Sequence, residues 1–445
     1  MSLIQQPAGI GAPSAGDPYL PTSGNAGYTV DRYDLVLDYR VASNRLSGRA
    51  TITARATTRL TRFSLDLAGL SADKVTVDGG RTAKVAQAAG KLTITPSAAI
   101  AEGATFTVVV RYSGAPRPLN SRWGEVGWEE LTDGVIVAGQ PCGAPSWFPC
   151  DDHPSDKATY RIEVSCESVY RVVCNGELTS RTVRASRTTW VFETPEPVAS
   201  YLATVQIGRY DDELNGPGPV PNRVYLPNDL RESAQVDFSR QHEMIGVFER
   251  LFGPYPFGGY TAVVTDDELE IPLEAHGMAI FGRNHVDGEH GSDRLIAHEL
   301  SHQWFGNSLT VASWQHIWLH EGFACYAEWL WSENSGGPTA QQRAKTSWNR
   351  LRGLPQDFVL SDPGPDLMFD DRLYKRGALA LHAVRCTLGD EVFFTMLREW
   401  TAANRFGNVT TAAFVDHVTR YAPEERVRRL LAAWLDFPAL PTLPR

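Results

Sequence analysis

A chain of 445 residues is too long for one ordinary core and predicts two domains of about 200 residues each. Its hydrophobic fraction of 42% and charged fraction of 21% are those of a soluble globular protein, and a net charge of -10 with no Lys/Arg block excludes nucleic acid and anionic lipid as natural partners. The longest apolar runs, such as 106–110 and 329–331, fall far short of the about 20 residues of a membrane span. Residues 1–25, rich in Gly, Pro, Ser and Ala, lack the basic start and apolar stretch of a secretory leader. A cytoplasmic location is therefore expected, with export left open if a leader preceded this sequence. Six Cys without a C-x-x-C spacing read as reduced thiols, although Cys166 with Cys174, or Cys142 with Cys150, offer disulfides to an exported protein.

From Tyr28 to Gly208 the apolar residues alternate with a period of two, as in 49–54, 63–67 and 105–110, and Asp78-Gly79-Gly80 and Asn175-Gly176 punctuate the runs as turns. Residues 1–209 therefore read as an antiparallel β domain. Gly216-Pro217-Gly218-Pro219 breaks regular structure, and residues 210–445 read as a mostly helical domain with a small sheet. Helices are predicted at 233–252, 293–305, 317–331, 373–388, 391–402 and 411–421, with a short strand-like stretch at 261–265, followed by 268–281, between the first two.

The chemistry lies in His298-Glu299-Leu300-Ser301-His302, within a predicted helix that has Asp293 as its candidate N-cap and Gly306-Asn307 as its stop. Residues four apart on a helix share a face, so both imidazoles can bind one cation while Glu299 beside them serves as a base toward water. A catalytic zinc needs a third protein ligand and an open position. Glu321, which follows His302 after eighteen intervening residues and lies on the next helix, supplies that ligand. His316 and His320, also four apart, form an alternative pair without a following acidic partner.

This pattern, with the flanking Trp304-x-Gly306-Asn307, resembles the aminopeptidase N family of zinc gluzincins. Leu273-Glu274-Ala275 falls where that family carries its G-x-M-E-N exopeptidase motif, with Ile271, Leu273 and Ala275 standing at the Gly, Met and Asn positions. Tyr374-Lys375-Arg376-Gly377 matches its Y-x-K/R-G signature, and Gln140 with the segment 148–157 resembles its amine-anchoring segment. The resemblance implies a saddle-like β domain followed by a thermolysin-like catalytic domain. It further implies one zinc ion per chain, held by His298, His302 and Glu321, and removal of the N-terminal residue from peptides with a free N-terminus. In that reading Glu299 is the base, Tyr374 donates to the oxyanion, and Glu274 and Gln140 hold the substrate ammonium. Glu328, two helical turns past Glu321, would orient a ligand histidine.

Longer relatives carry a further helical domain over the active site. A short chain without it is expected to have a more open cleft and little selection on peptide length. The altered residues around Glu274 leave a peptide-binding homologue with impaired turnover as an alternative, and the family's epoxide hydrolase branch is another. Glu270 either favours a basic first residue or points into solvent. Nothing in the sequence calls for self-association, so a monomer is the simplest state.

Overall fold

The computed structural model describes residues 9–444, and residues 1–8 of the expected leader-free stretch lie outside it. It divides into two compact units, Met1–Asp211 and Asp212–Arg445. Alternation builds the first. Strand Tyr28–Arg40 buries every second residue through most of its length, with Leu35, Leu37 and Tyr39 facing inward, and Arg45–Ala56 buries Ala50, Ile52 and Ala54 opposite. These two strands sit at the middle of a seven-stranded sheet ordered Glu177–Arg184, Arg187–Ala199, Lys157–Glu167, Tyr28–Arg40, Arg45–Ala56, Thr105–Gly114, Ser71–Val77. The expected antiparallel pattern holds except at one pair: Tyr28–Arg40 runs parallel to Lys157–Glu167. Parallel pairing needs a long crossover, and here residues 41–156 supply it by forming strands of their own. Gly48 lies directly across from Tyr112, where a Cβ would stand 2.2 Å from the ring, so the register depends on that glycine. Tyr39 packs edge-on against Trp128 at 4.9 Å, joining this sheet to a five-stranded one, and Tyr28 meets Phe63 of a three-stranded one at 5.8 Å.

A polar network lies inside this β unit. Asp66, Asp151 and Asp152 are all buried, and Lys91 pairs with Asp66. Ser200 donates to Asp152 Oδ1 at 2.7 Å, while Asp152 Oδ2 has no hydrogen-bond partner among the described residues. Burial first, and then the charge of Asp66, pushes Asp152 up to about 8 against the pull of Ser200 and Lys91. A carboxyl raised in the folded state contributes stability that is full below its unfolded value of about 3.9 and is lost as pH rises through about 8. Asp152→Asn is therefore expected to gain on wild type in melting temperature as pH rises from 5 to 9. The gain should be about 2 to 4 °C per kcal/mol of relieved burial. A melting difference that does not change between the two pH values would contradict this.

In the second unit, the strand Tyr260–Val264 is almost wholly buried, as suits the centre of a parallel sheet. Asn222–Leu226 and Met278–Phe281 flank it in parallel, and antiparallel Asp212–Gly216 and Leu273–Ala275 form the two edges. The unit carries nine α-helices among the described residues: α1 (Arg231–Asp237), α2 (Gln241–Phe252), α3 (Asp293–Ser301), α4 (Trp318–Asn334), α5 (Ala340–Leu351), α6 (Asp371–Leu388), α7 (Asp390–Ala403), α8 (Thr411–Val418) and α9 (Glu424–Leu435). The helix predicted over 233–252 is thus two. It breaks after the buried Asp237, whose carboxylate accepts from the backbone N–H groups of Asp287, Gly288 and His290 at 2.9 Å each and so ties the loop leading into α3. Helix α4 is buried on all sides from Trp318 to Ser332, the mark of a helix running through the core. All six cysteines are unpaired.

Candidate metal centre and active site

Ser292, not Asp293, is the N-cap of α3, and Asp293 opens the first turn, where a carboxylate suits the helix dipole. The helix is assigned as ending at Ser301, but His302 keeps helical dihedrals and its N–H still bonds to His298 O at 3.3 Å. Both imidazoles therefore stay on one face, their rings 4.9 Å apart. Each Nδ1 is already engaged, His298 with Glu328 Oε1 at 2.8 Å and His302 with the Phe305 carbonyl at 3.0 Å. This leaves both Nε2 atoms facing Glu321 Oε2, each at 3.6 Å. One ligand atom from each of the three residues falls within 4.8 Å of the others, and all three residues are buried. Two imidazole nitrogens and a carboxylate oxygen converging in this way suit a tetrahedral zinc with one position left open. The electrostatics agree. Burial works against a charge on His298, yet the carboxylates of Glu321 and Glu328 raise it to about 10, so the site draws positive charge.

Glu328 lies beneath the ligands. Burial favours its neutral form, but the hydrogen bond from His298 and the charges of His298, Lys375 and Arg294 outweigh this and hold it at about 2. An ionised Glu328 keeps the His298 proton on Nδ1 and leaves Nε2 free to ligate.

Glu299 and Glu274 meet His302 in a second cluster whose atoms again lie within 4.8 Å of one another. Burial raises Glu299 to about 7, with Glu274 and Glu321 adding to the rise and His298 and His302 opposing it. Burial likewise raises Glu274. Glu274 stands on the edge strand Leu273–Ala275, and two residues of the turn after α3 pin that strand. Asn307 Nδ2 donates to the Ala275 carbonyl at 2.8 Å, and Gln303 Oε1 accepts from Gly277 N at 2.9 Å. Gln303 had no part in the sequence reading, and its position one residue after His302 was the only signal for it. The grip is on backbone atoms, so Ala275 at the motif's Asn position leaves it intact. Ile271 is 63% exposed, and Glu270 is exposed as well.

Tyr374 belongs to α6, which begins two residues earlier than predicted because Asp370 caps it by accepting from Arg372 N at 2.9 Å. Helices α4 and α6 cross at Gly322 and Gly377, where a Cβ on either would stand 2.9 or 2.7 Å from the other's Cα. This close approach brings the tyrosine of one helix to the metal ligand of the other. Its ring stacks over His298 at 6.1 Å. Burial and the nearby charges of Glu321, Glu274 and Glu299 keep the hydroxyl protonated. Of the alternative histidine pair, His320 Nε2 accepts from Val311 N at 2.9 Å and His316 Nδ1 meets Thr411 at 3.0 Å, so both serve the scaffold. Gln140 belongs to the first unit, two residues past the strand Gly134–Ala138, and is partly exposed.

Comparison with known proteins agrees with this geometry. Residues 29–202 match the Peptidase M1 N-terminal domain, and residues 237–434 match the Peptidase family M1 domain. An M1 zinc metallopeptidase from Deinococcus radiodurans, solved as a glutamate-to-alanine variant bound to a Tyr-Ser-Ala substrate, superposes with a TM-score of 0.89 at 30% identity, over 97% of this chain and 99% of that one. Rat aminopeptidase B is 26% identical over 330 residues, 69% of this chain and 50% of that protein. Leukotriene A-4 hydrolase of Xenopus laevis is 26% identical over 284 residues, 60% of this chain and 46% of that protein. The chain thus spans half or less of the length of these two relatives. No helix among the described residues is long and apolar enough to cross a membrane. With both of its units matched and an M1 zinc metallopeptidase covered almost end to end, the chain belongs to Peptidase family M1, and its buried His298, His302 and Glu321 form a group that could hold a metal ion.

Proposed function

We propose that this protein is an aminopeptidase that removes the N-terminal residue from peptides, using zinc held by His298, His302 and Glu321. The observation that carries this reading is the double cluster around His302, with a metal set on one side and the carboxylates of Glu299 and Glu274 on the other. Zinc, when bound, supplies Lewis-acid polarisation of the scissile carbonyl. Glu299, raised toward neutrality, takes a proton from the attacking water and returns it to the leaving amine. Tyr374 donates its hydroxyl to the oxyanion that develops on the carbonyl. Glu274 accepts the substrate's α-ammonium through charge-assisted hydrogen bonds, and a fixed ammonium site confines cleavage to the first peptide bond. Gln140 joins it as an amide acceptor, on the resemblance of its segment alone.

The reading is tested with a panel of aminoacyl arylamides, each offered with a free amine and with an N-acetyl cap. Arylamine should be released from the free-amine compounds only, and release should stop with a chelator and return with zinc. Equal cleavage of the capped series would point to an endopeptidase instead, and binding without cleavage of either series would point to an impaired homologue.

A further inference from the structure

Two residues after Tyr374 on α6 stands Arg376, which is 2% exposed and has no carboxylate partner among the described residues. Burial brings its guanidinium down to about 10, so it still carries its charge near neutral pH. Four backbone carbonyls of one segment hold it instead. Nε donates to Trp434 O at 3.0 Å, Nη1 to Pro438 O at 2.5 Å, and Nη2 to Phe437 O and, at 3.3 Å, to Ala439 O. Trp434 lies in the last turn of α9, where carbonyls lack intrahelical partners, and Pro438 follows too closely for the helix to continue. Arg376 therefore caps α9 at the negative end of its dipole. Ser361 adds to this grip, its N–H donating to Leu435 O at 3.0 Å and its hydroxyl to Asp436 Oδ1 at 2.8 Å. Phe358 lies under the guanidinium, 5.7 Å from its carbon to the ring centre.

The start of α6 is thus braced on two sides. Gly377, three residues after Tyr374 and so on the same face, touches Gly322 of α4, while Arg376 lies about 200° round the helix and faces the segment 434–439. An apolar side chain in its place would leave four carbonyls without this donor, so the position of the segment against α6 depends on one residue. We propose that Arg376 is a positioning residue for the reaction: by clamping 434–439 against the back of α6, it fixes the turn from which Tyr374 reaches the substrate carbonyl. The inference rests on the aminopeptidase reading above, in which Tyr374 is the oxyanion donor. A displacement of about 1 Å at such a donor is enough to cost on the order of 10²-fold in rate.

The test is a double-mutant cycle on the zinc-loaded protein with an alanyl arylamide. Arg376→Met should lower kcat about 10- to 100-fold, with KM within about twofold of wild type and bound zinc unchanged. Arg376→Lys, which keeps the charge but reaches fewer carbonyls, should lose about three- to tenfold, and it carries the cycle if Arg376→Met does not fold. On a Tyr374→Phe background either substitution should cost less than about twofold, because the hydroxyl that the clamp positions is already gone. A loss of equal size on both backgrounds means general loosening and overturns the proposal, as does unchanged kcat in the single variants. If wild type releases no arylamine, the aminopeptidase reading falls, and amide hydrogen exchange then decides on the clamp by itself. Arg376→Met, or Arg376→Lys in its place, should speed exchange at 374–378, the first bonded amides of α6, more than at 379–388. Equal protection in variant and wild type at 374–378 overturns it.

Discussion

Glu299→Gln is expected to lower kcat on an alanyl arylamide by about 10²- to 10⁴-fold, with little change in KM and with bound zinc, measured by elemental analysis, at the wild-type level. The glutamine is nearly isosteric, and Glu299 is not one of the three converging metal ligands, so the cation set of His298, His302 and Glu321 stays whole. What disappears is a buried carboxylate brought to about 7, a value that lets it accept a proton near neutral pH and give it back. The amide can do neither. Zinc loss in this variant would mean that Glu299 acts as a ligand or support, and retained turnover would remove it from the mechanism.

Tyr374→Phe should cost about 10²- to 10³-fold in kcat, the usual loss for one oxyanion donor, again at nearly constant KM. The phenylalanine ring can keep its stacking over His298, and the Gly322–Gly377 crossing that sets the position of α6 does not involve the hydroxyl. Only the donor is deleted. A raised KM with unchanged kcat would assign Tyr374 to packing against the substrate. Zinc affinity is the second readout: if removing the hydroxyl weakens zinc binding in proportion to kcat, the tyrosine works by orienting Glu321.

Several helices were read from the sequence and two were missed, for distinct reasons. Helix α4 carries a continuous apolar sequence and fell within a residue of its expected start. Helix α5 was missed because Ala340, Ala344 and Leu351 are its only buried residues, too few to make an apolar stripe. Its signal lay in the cap, where Thr339 and Gln342 bond each other's backbone N–H groups at 3.2 and 2.8 Å. Helix α9 did offer a stripe, Val427, Leu431, Trp434 and Leu435, and could have been read. The parallel strand pair of the first unit could not, since alternation reports which face a residue takes and is silent about the direction of its neighbour.

By itself the sequence determined the local part of the metal centre. His298 and His302 share a face because four residues nearly complete a helical turn, and Glu299 sits beside them for the same reason. Spacing and resemblance together pointed to Glu321, Tyr374, Glu274 and Glu328. Only the tertiary structure decided what holds them in place. Two glycines let α4 and α6 touch, Asn307 and Gln303 pin the strand of Glu274, and Glu328 holds His298 through Nδ1. Neighbours in the chain are related by fixed backbone geometry, whereas neighbours in space depend on which faces pack, and that is settled by the whole core at once.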